Sequence, residues 1–153
     1  MNAKTFLLIN LAFAFYEVGA IWAHEVDIFR SWKHLDVDTF RRVQGVHWRK
    51  LPYWIFAPVA LSFVGSLALL RFHPAGTPPW IPWVAFACLV LTHTLTAVMW
   101  GPWQAKLSHD PNGSASVYLQ NILATHWMRT LLINFYGFLL LGWSIVVLAK
   151  VTP

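Results

Sequence analysis

The chain has 153 residues, of which 58% are hydrophobic and 11% charged, roughly half the charged share of a soluble domain of this size. Its formal charge of +5 is no nucleic-acid signature, because Arg30, Lys33, Arg41, Arg42, Arg49 and Lys50 all crowd one segment between apolar stretches, which is a membrane-orientation signal. The lone Cys88 excludes an intramolecular disulfide and suits small-residue packing.

Four apolar stretches run over residues 6–26, 54–70, 80–99 and 131–149. A helix rising about 1.5 Å per residue needs ~20 residues to cross a bilayer core, and Pro52 and Tyr53 extend the second stretch to adequate length. None of the stretches alternates as a pore-forming strand would. None carries the continuous polar face that a soluble bundle needs. The first stretch is not read as a secretory signal: Lys4 is a weak basic region, and Glu17, His24 and Glu25 stand where cleavage would fall. The sequence therefore predicts an all-α protein, a bundle of four transmembrane helices forming one integral membrane domain over residues 1–153.

Between the first two helices, residues 36–46 have the periodicity of a short amphipathic helix, with Val37, Phe40, Val43 and Gln44 on one face. Its basic residues suit anionic lipid headgroups. Pro52 fits a first helical turn and Pro58 is placed to kink the helix. The segment 73–79 is a turn rich in proline and glycine. Trp80 and Trp83 suit one interfacial belt, and Tyr53, Trp54, Trp100, Trp103 and Trp127 the other. Pro102 is expected to disturb or end the third helix, and helical periodicity resumes near Ser116, so that the fourth helix projects beyond the membrane. Lys106 and Arg129 join the six clustered basic residues, leaving Lys4, Arg71 and Lys150 for the other side. The positive-inside bias places both termini outside the cytoplasm. The expected location is a cell membrane, the inner membrane of a bacterium. The expected partners are membrane lipids, with a hydrophobic small molecule or other membrane proteins.

Glu17 carries the most information. A carboxylate exposed to lipid is costly, so it has to face the bundle, take up a proton or gain a partner. Glu17 and His93 lie at similar depth, roughly 15 Å from the cytoplasmic helix ends, which predicts a direct or ligand-mediated contact. With Arg129 they form the expected catalytic group. Arg129 either snorkels to phosphate or clamps an anionic oxygen, with Glu25 or Asp27 available to neutralise it; Arg49 invites the same two readings. His24 follows Glu17 by two turns on nearly the same face. His24, His47 and His126 are the expected metal ligands, suited to copper, zinc or non-haem iron, and facing histidines also suit haem. A headgroup or loop contact is the competing reading for each of these interfacial histidines, and a structural hydrogen bond for the Glu17–His93 pair. No His-Glu-x-x-His, repeated Glu-x-x-His or Cys-x-x-Cys-His motif is present. Asn10 and Asn134 are read as interhelical hydrogen-bonding residues, and Thr92, Thr94 and Thr96 as bonding their own helix.

Several features together resemble a family of small four-helix membrane proteins of largely unknown function that includes anthrone-oxygenase-like proteins. They are Gly19, Arg49-Lys50-Leu51-Pro52, Pro102 with Leu107, and Asn121 followed by His126-Trp127-Met128-Arg129-Thr130. The resemblance spans about residues 5–149 and implies the four-helix topology. Glu17, the His24-Glu25 pair and Gln104 depart from the family pattern, so anthrone specificity does not carry over with it.

Three functions compete. The first is a membrane oxidoreductase or oxygenase acting on a small hydrophobic, planar substrate, with Glu17 or His93 accepting a proton. The second is a structural or assembly subunit of a membrane complex. The third is a proton-coupled transporter, for which no inverted repeat or selectivity filter speaks.

Overall fold

In the computed structural model, which describes residues 2–150, the chain is all-helical, and residues 1 and 151–153 of the expected domain lie outside the described residues. Four helices are long and apolar enough to cross a bilayer: α1 Ala3–Trp32, α2 Val37–Leu69, α3 Trp80–Leu107 and α4 Val117–Ala149. The protein is a multi-pass membrane protein, and lipid is the natural neighbour of its outward apolar side chains.

Short polar side chains start three of the helices. Asn2 Oδ1 accepts from Thr5 N at 2.8 Å, Asp36 Oδ1 from Asp38 N and Thr39 N at 3.1 and 3.0 Å, and Ser116 Oγ from Tyr118 N at 3.1 Å. Each satisfies a backbone donor that the first turn leaves unpaired.

The helices run further than the apolar stretches predict. The amphipathic segment is present, but it is the first part of α2 and not a separate element. Its buried face is Phe40, Gln44 and Leu51; Val37 and Val43 are exposed. Spacings of four and seven residues keep those three buried positions on one helical face. Pro102 does not end α3 either. At these junctions the chain absorbs a proline with a π turn. Pro52–Phe56 and Thr96–Trp100 are both π-helical, and so is His24–Ile28 in α1. Pro58 cannot donate to Trp54 O, and the Tyr16 hydroxyl fills that acceptor instead at 2.6 Å. Gly101 is suited to its place because a Cβ there would stand 2.9 Å from Thr96 O, the carbonyl that its own N–H bonds across the π turn.

Two apolar clusters hold the bundle. One, distant from the basic segment, gathers Leu7, Ala14, Leu69, Leu89, Tyr136 and Leu140 with their neighbours. The other, at the basic end, gathers Phe29, Trp32, Phe40, Trp100, Leu107 and Leu119. Helices α1 and α4 approach closely at Gly137, where a Cβ would meet Val18 Cγ2; such small residues let membrane helices pack when lipid offers no hydrophobic drive. Asn10 differs from expectation: its Nδ2 donates to Phe6 O in its own helix at 2.9 Å. Asn134 does both, donating to Thr130 O at 2.7 Å and accepting from Trp22 Nε1 at 3.1 Å. Thr92 and Thr96 bond back to Cys88 O and Thr92 O, each at 2.8 Å. Cys88 packs against the first cluster.

The α3–α4 connection turns on Asp110, whose carboxylate accepts from Ser116 Oγ at 2.6 Å and Asn112 N at 2.9 Å. Those bonds hold it below the ordinary value of 3.8. A depressed folded-state value contributes stability in full above the ordinary value, and that stability is lost as pH falls through the lower one. Thermal melts of detergent-solubilised protein at pH values from about 5 down to about 3 should therefore show a steeper loss for the wild type than for Asp110→Asn. Parallel curves would remove this account of the connection.

Candidate functional site

Between the two apolar clusters the side chains leave a cavity of about 360 Å³. All four helices contribute to it. Helix α1 supplies Tyr16, Glu17 and His24; α2 supplies Trp48, Ile55 and Phe56; α3 supplies Thr92, His93, Thr96 and Trp100; α4 supplies Arg129 and Ile133. The three π turns lie at this level, and residues of each of them line the cavity. A π turn is an extra residue accommodated by widening the helix, and such turns recur at functional sites. Here they spread three helices around a common space while α4 runs unbroken behind it.

The expected catalytic group is brought together: Glu17, His93 and Arg129 all face this one cavity. Glu17 and His93 make no direct hydrogen bond. His93 Nδ1 is occupied by Leu89 O at 2.5 Å, and its ring packs on Phe63 at 5.3 Å. Both carboxyl oxygens of Glu17 are buried without a hydrogen-bond partner, although the residue is only 4% exposed. The Ser62 hydroxyl stands near, but its well-formed bond is to Tyr136 at 3.2 Å. An unpartnered buried carboxyl facing open space is suited to a ligand.

Arg129 also lines the cavity, stacked on Trp100 with its guanidinium carbon 5.2 Å from the ring centroid. Trp100 is therefore no interfacial-belt residue; it is 1% exposed and donates to Thr125 Oγ1 at 2.9 Å. Arg129 Nη2 donates to His126 Nε2 at 2.6 Å, and the Arg129 Nε–H remains unpartnered. Because a guanidinium only donates, His126 must accept at Nε2 and carry its proton on Nδ1. That proton goes to Glu25 Oε2 at 2.8 Å. Glu25 in turn holds the solvent-side Arg30 at 2.8 Å. A neutral imidazole thus links a buried cation to a carboxylate on another helix. Arg49 is exposed and takes no part.

The expected metal ligands do gather. The His24 ring lies 5.2 Å from His47 and 6.4 Å from His126, between centroids. Yet among the described residues no group of three or more His, Cys, Asp or Glu side chains is arranged to hold a metal ion. His126 has both nitrogens engaged, and His24 Nδ1 is given to Ala20 O at 2.7 Å. His47 Nε2 is buried without a partner, and Trp54 stacks on His24 at 5.4 Å. Ring packing holds all three imidazoles, and hydrogen bonds hold His24 and His126. His34 and His109 lie in the turns at the basic end, and His73 lies in the opposite turn, bonding Pro74 O at 3.3 Å.

Glu25 is the site residue least visible in the sequence, where it reads as one of two carboxylates available to Arg129. Its signal is the pairing of an acidic residue beside His24 with His126 and Arg129 one turn apart in α4. No known family, curated protein or solved structure matches the chain. The resemblance to the anthrone-oxygenase-like group therefore stands on its motifs alone.

Replacing Glu25 by Ala strands the Nδ1–H of His126 and the balancing charge of Arg129, so it should cost about 1–3 kcal/mol of stability. A double-mutant cycle with His126→Ala, read by thermal unfolding, should return a coupling of more than ~0.5 kcal/mol. Strict additivity would mean that the bridge carries no energy.

Proposed function

We propose that this chain is a membrane enzyme, an oxidoreductase or oxygenase, that removes a proton from a small, hydrophobic, planar substrate. The observation that carries the reading is the pairing across one apolar cavity of an unpartnered carboxyl, Glu17, with an Arg129 Nε–H that also lacks a partner. A planar molecule would lie between the aromatic walls of Tyr16, Phe56 and Trp100. Glu17, assisted by His93, would take the proton from an activated C–H or O–H group, and Arg129 would hold the oxygen on which negative charge develops. In the oxygenase form, a deprotonated CH₂ next to a carbonyl passes electrons to dioxygen. The carbon becomes a carbonyl, the oxygen that is not incorporated leaves as water, and the abstracted protons end in that water.

The order of the parts favours this over proton transport. The Glu25–His126–Arg129 bridge fixes the cation at the cavity wall, as an anion-binding group requires. In this reading the basic end faces the cytoplasm of a bacterial cell, in its inner membrane, by the positive-inside rule.

Oxygen uptake by protein in lipid discs, offered a panel of phenols and of aromatic ketones with acidic CH₂ groups, tests the proposal. Glu17→Gln keeps the side-chain shape and should lower turnover by roughly 10²–10⁴-fold without lowering the unfolding temperature. Arg129→Gln should cost roughly 10²-fold or more. Wild-type turnover in Glu17→Gln would end the proposal. So would the absence of both uptake and binding across the panel.

A further inference from the structure

We propose that the cavity is entered sideways, through a window between α2 and α3 that opens into the hydrocarbon of the leaflet on the basic side, so that its occupant arrives dissolved in lipid. The inference concerns the same cavity as the proposed enzyme, but it stands on the packing of the helices and is tested without any turnover.

Away from the basic end, α2 and α3 pack together, with Phe63 5.3 Å from both Phe86 and His93 between ring centroids. Beyond that contact both helices make a π turn, over Pro52–Phe56 and Thr96–Trp100. There they part, and their next bond is Gln44 Nε2 to Gln104 O at 3.4 Å, near the basic end. The gap between these two contacts is rimmed by Phe56, which is 49% exposed, and by the exposed Ala97. The rim offers lipid almost no free polar group, because the Thr96 hydroxyl is spent on its own helix. A break in backbone regularity is tolerated at membrane depth where it lines a cavity, and both π turns do so.

Both ends of the bundle are packed. Towards the basic end, Phe29, Trp32 and Trp100 are packed into one cluster, and the Arg129–His126–Glu25 bridge crosses beside them. Towards the opposite end lies the tighter cluster around Tyr136, Leu89 and Leu140. The polar groups that would hold an occupant, Glu17 and Arg129, sit behind the window and not at a water-facing mouth. A solute from water would have to cross apolar packing to reach them; a solute from lipid would not.

Carbodiimides report the route directly, since a protonated carboxyl adds across the reagent and rearranges to a stable N-acylurea with no leaving group. Protein in lipid discs is treated with membrane-soluble dicyclohexylcarbodiimide or with a cationic, water-soluble carbodiimide, and the peptide bearing Glu17 is quantified by mass spectrometry. The hydrophobic reagent should label Glu17 and the water-soluble one should not. Ala97→Trp, which fills the rim, should slow labelling roughly tenfold. Phe56→Ala, which widens it, should label at least as fast as wild type and guards against misfolding of the first variant. Glu17→Gln supplies the blank. Equal labelling by the water-soluble reagent, no labelling by the hydrophobic one, or an unchanged rate in Ala97→Trp overturns the window. A failed oxygen-uptake assay leaves all these readings intact, so the two ideas can fall separately.

Discussion

A guanidinium keeps its proton at any ordinary pH, and α4 carries one, Arg129, to the wall of an apolar cavity. Lipid cannot balance that charge, so the fold has to. The partner is not a carboxylate in direct contact but an imidazole whose other nitrogen is held by Glu25. This fixes much of the basic end. Helix α1 must bring residue 25, near the end of its apolar stretch, against α4, and it must turn both His24 and Glu25 inward although they are consecutive. The π turn that begins at His24 widens the helix where those two directions are needed. Arg30, one turn on, then ties the second carboxylate oxygen back towards solvent.

The same economy makes the cavity. Long helices that stay continuous satisfy their own backbone, which a membrane demands, yet they leave little room inside a bundle. The π turns reconcile the two requirements. They preserve hydrogen-bonded helix through Pro52 and Pro102 while displacing the walls at one level, between two well-packed clusters. Glu17 faces the resulting space. The Trp54 carbonyl freed by Pro58 shows how carefully the accounts of such a site must close: its missing donor is replaced by a tyrosine hydroxyl from α1.

The architecture was legible because it depends on composition and period. Four long apolar runs and clustered Arg and Lys are enough to predict four helices and the sidedness of the charge. The meeting of Glu17 and His93 at one space was legible from depth alone, since residues at equal depth in one bundle are candidates to meet; Arg129 was read at the boundary of its helix. Depth does not give azimuth, however, and of the two forms of contact expected for Glu17 and His93, direct or ligand-mediated, the direct hydrogen bond is not made, although both line one cavity. Proline misled the reading of α2, and left α3 open between a disturbance and an end, because a π turn and a helix end have the same local signature until tertiary packing chooses between them. Trp100 misled it in another way: an aromatic residue at the membrane boundary is read as a belt, and nothing in sequence says that an arginine from another helix will stack on it. The histidines were found as a group, but which of their nitrogens remain free depends on neighbours such as Ala20 O and Arg129 that spacing does not reveal.

The three π turns also set the tolerance of the chain to changes in length. Each holds one extra residue by widening the helix, so deleting one residue inside it lets the widened turn close to an ordinary α turn while the flanking residues keep their facing directions. A deletion in the regular helix between Glu17 and His24 has no such outlet, and it turns Glu25 away from His126, or Glu17 away from the cavity, by about 100°. Sliding against lipid cannot undo that rotation. Here the phase of the helix is itself part of the site, and the chain length between Glu17 and Glu25 is as restricted as the identity of either residue.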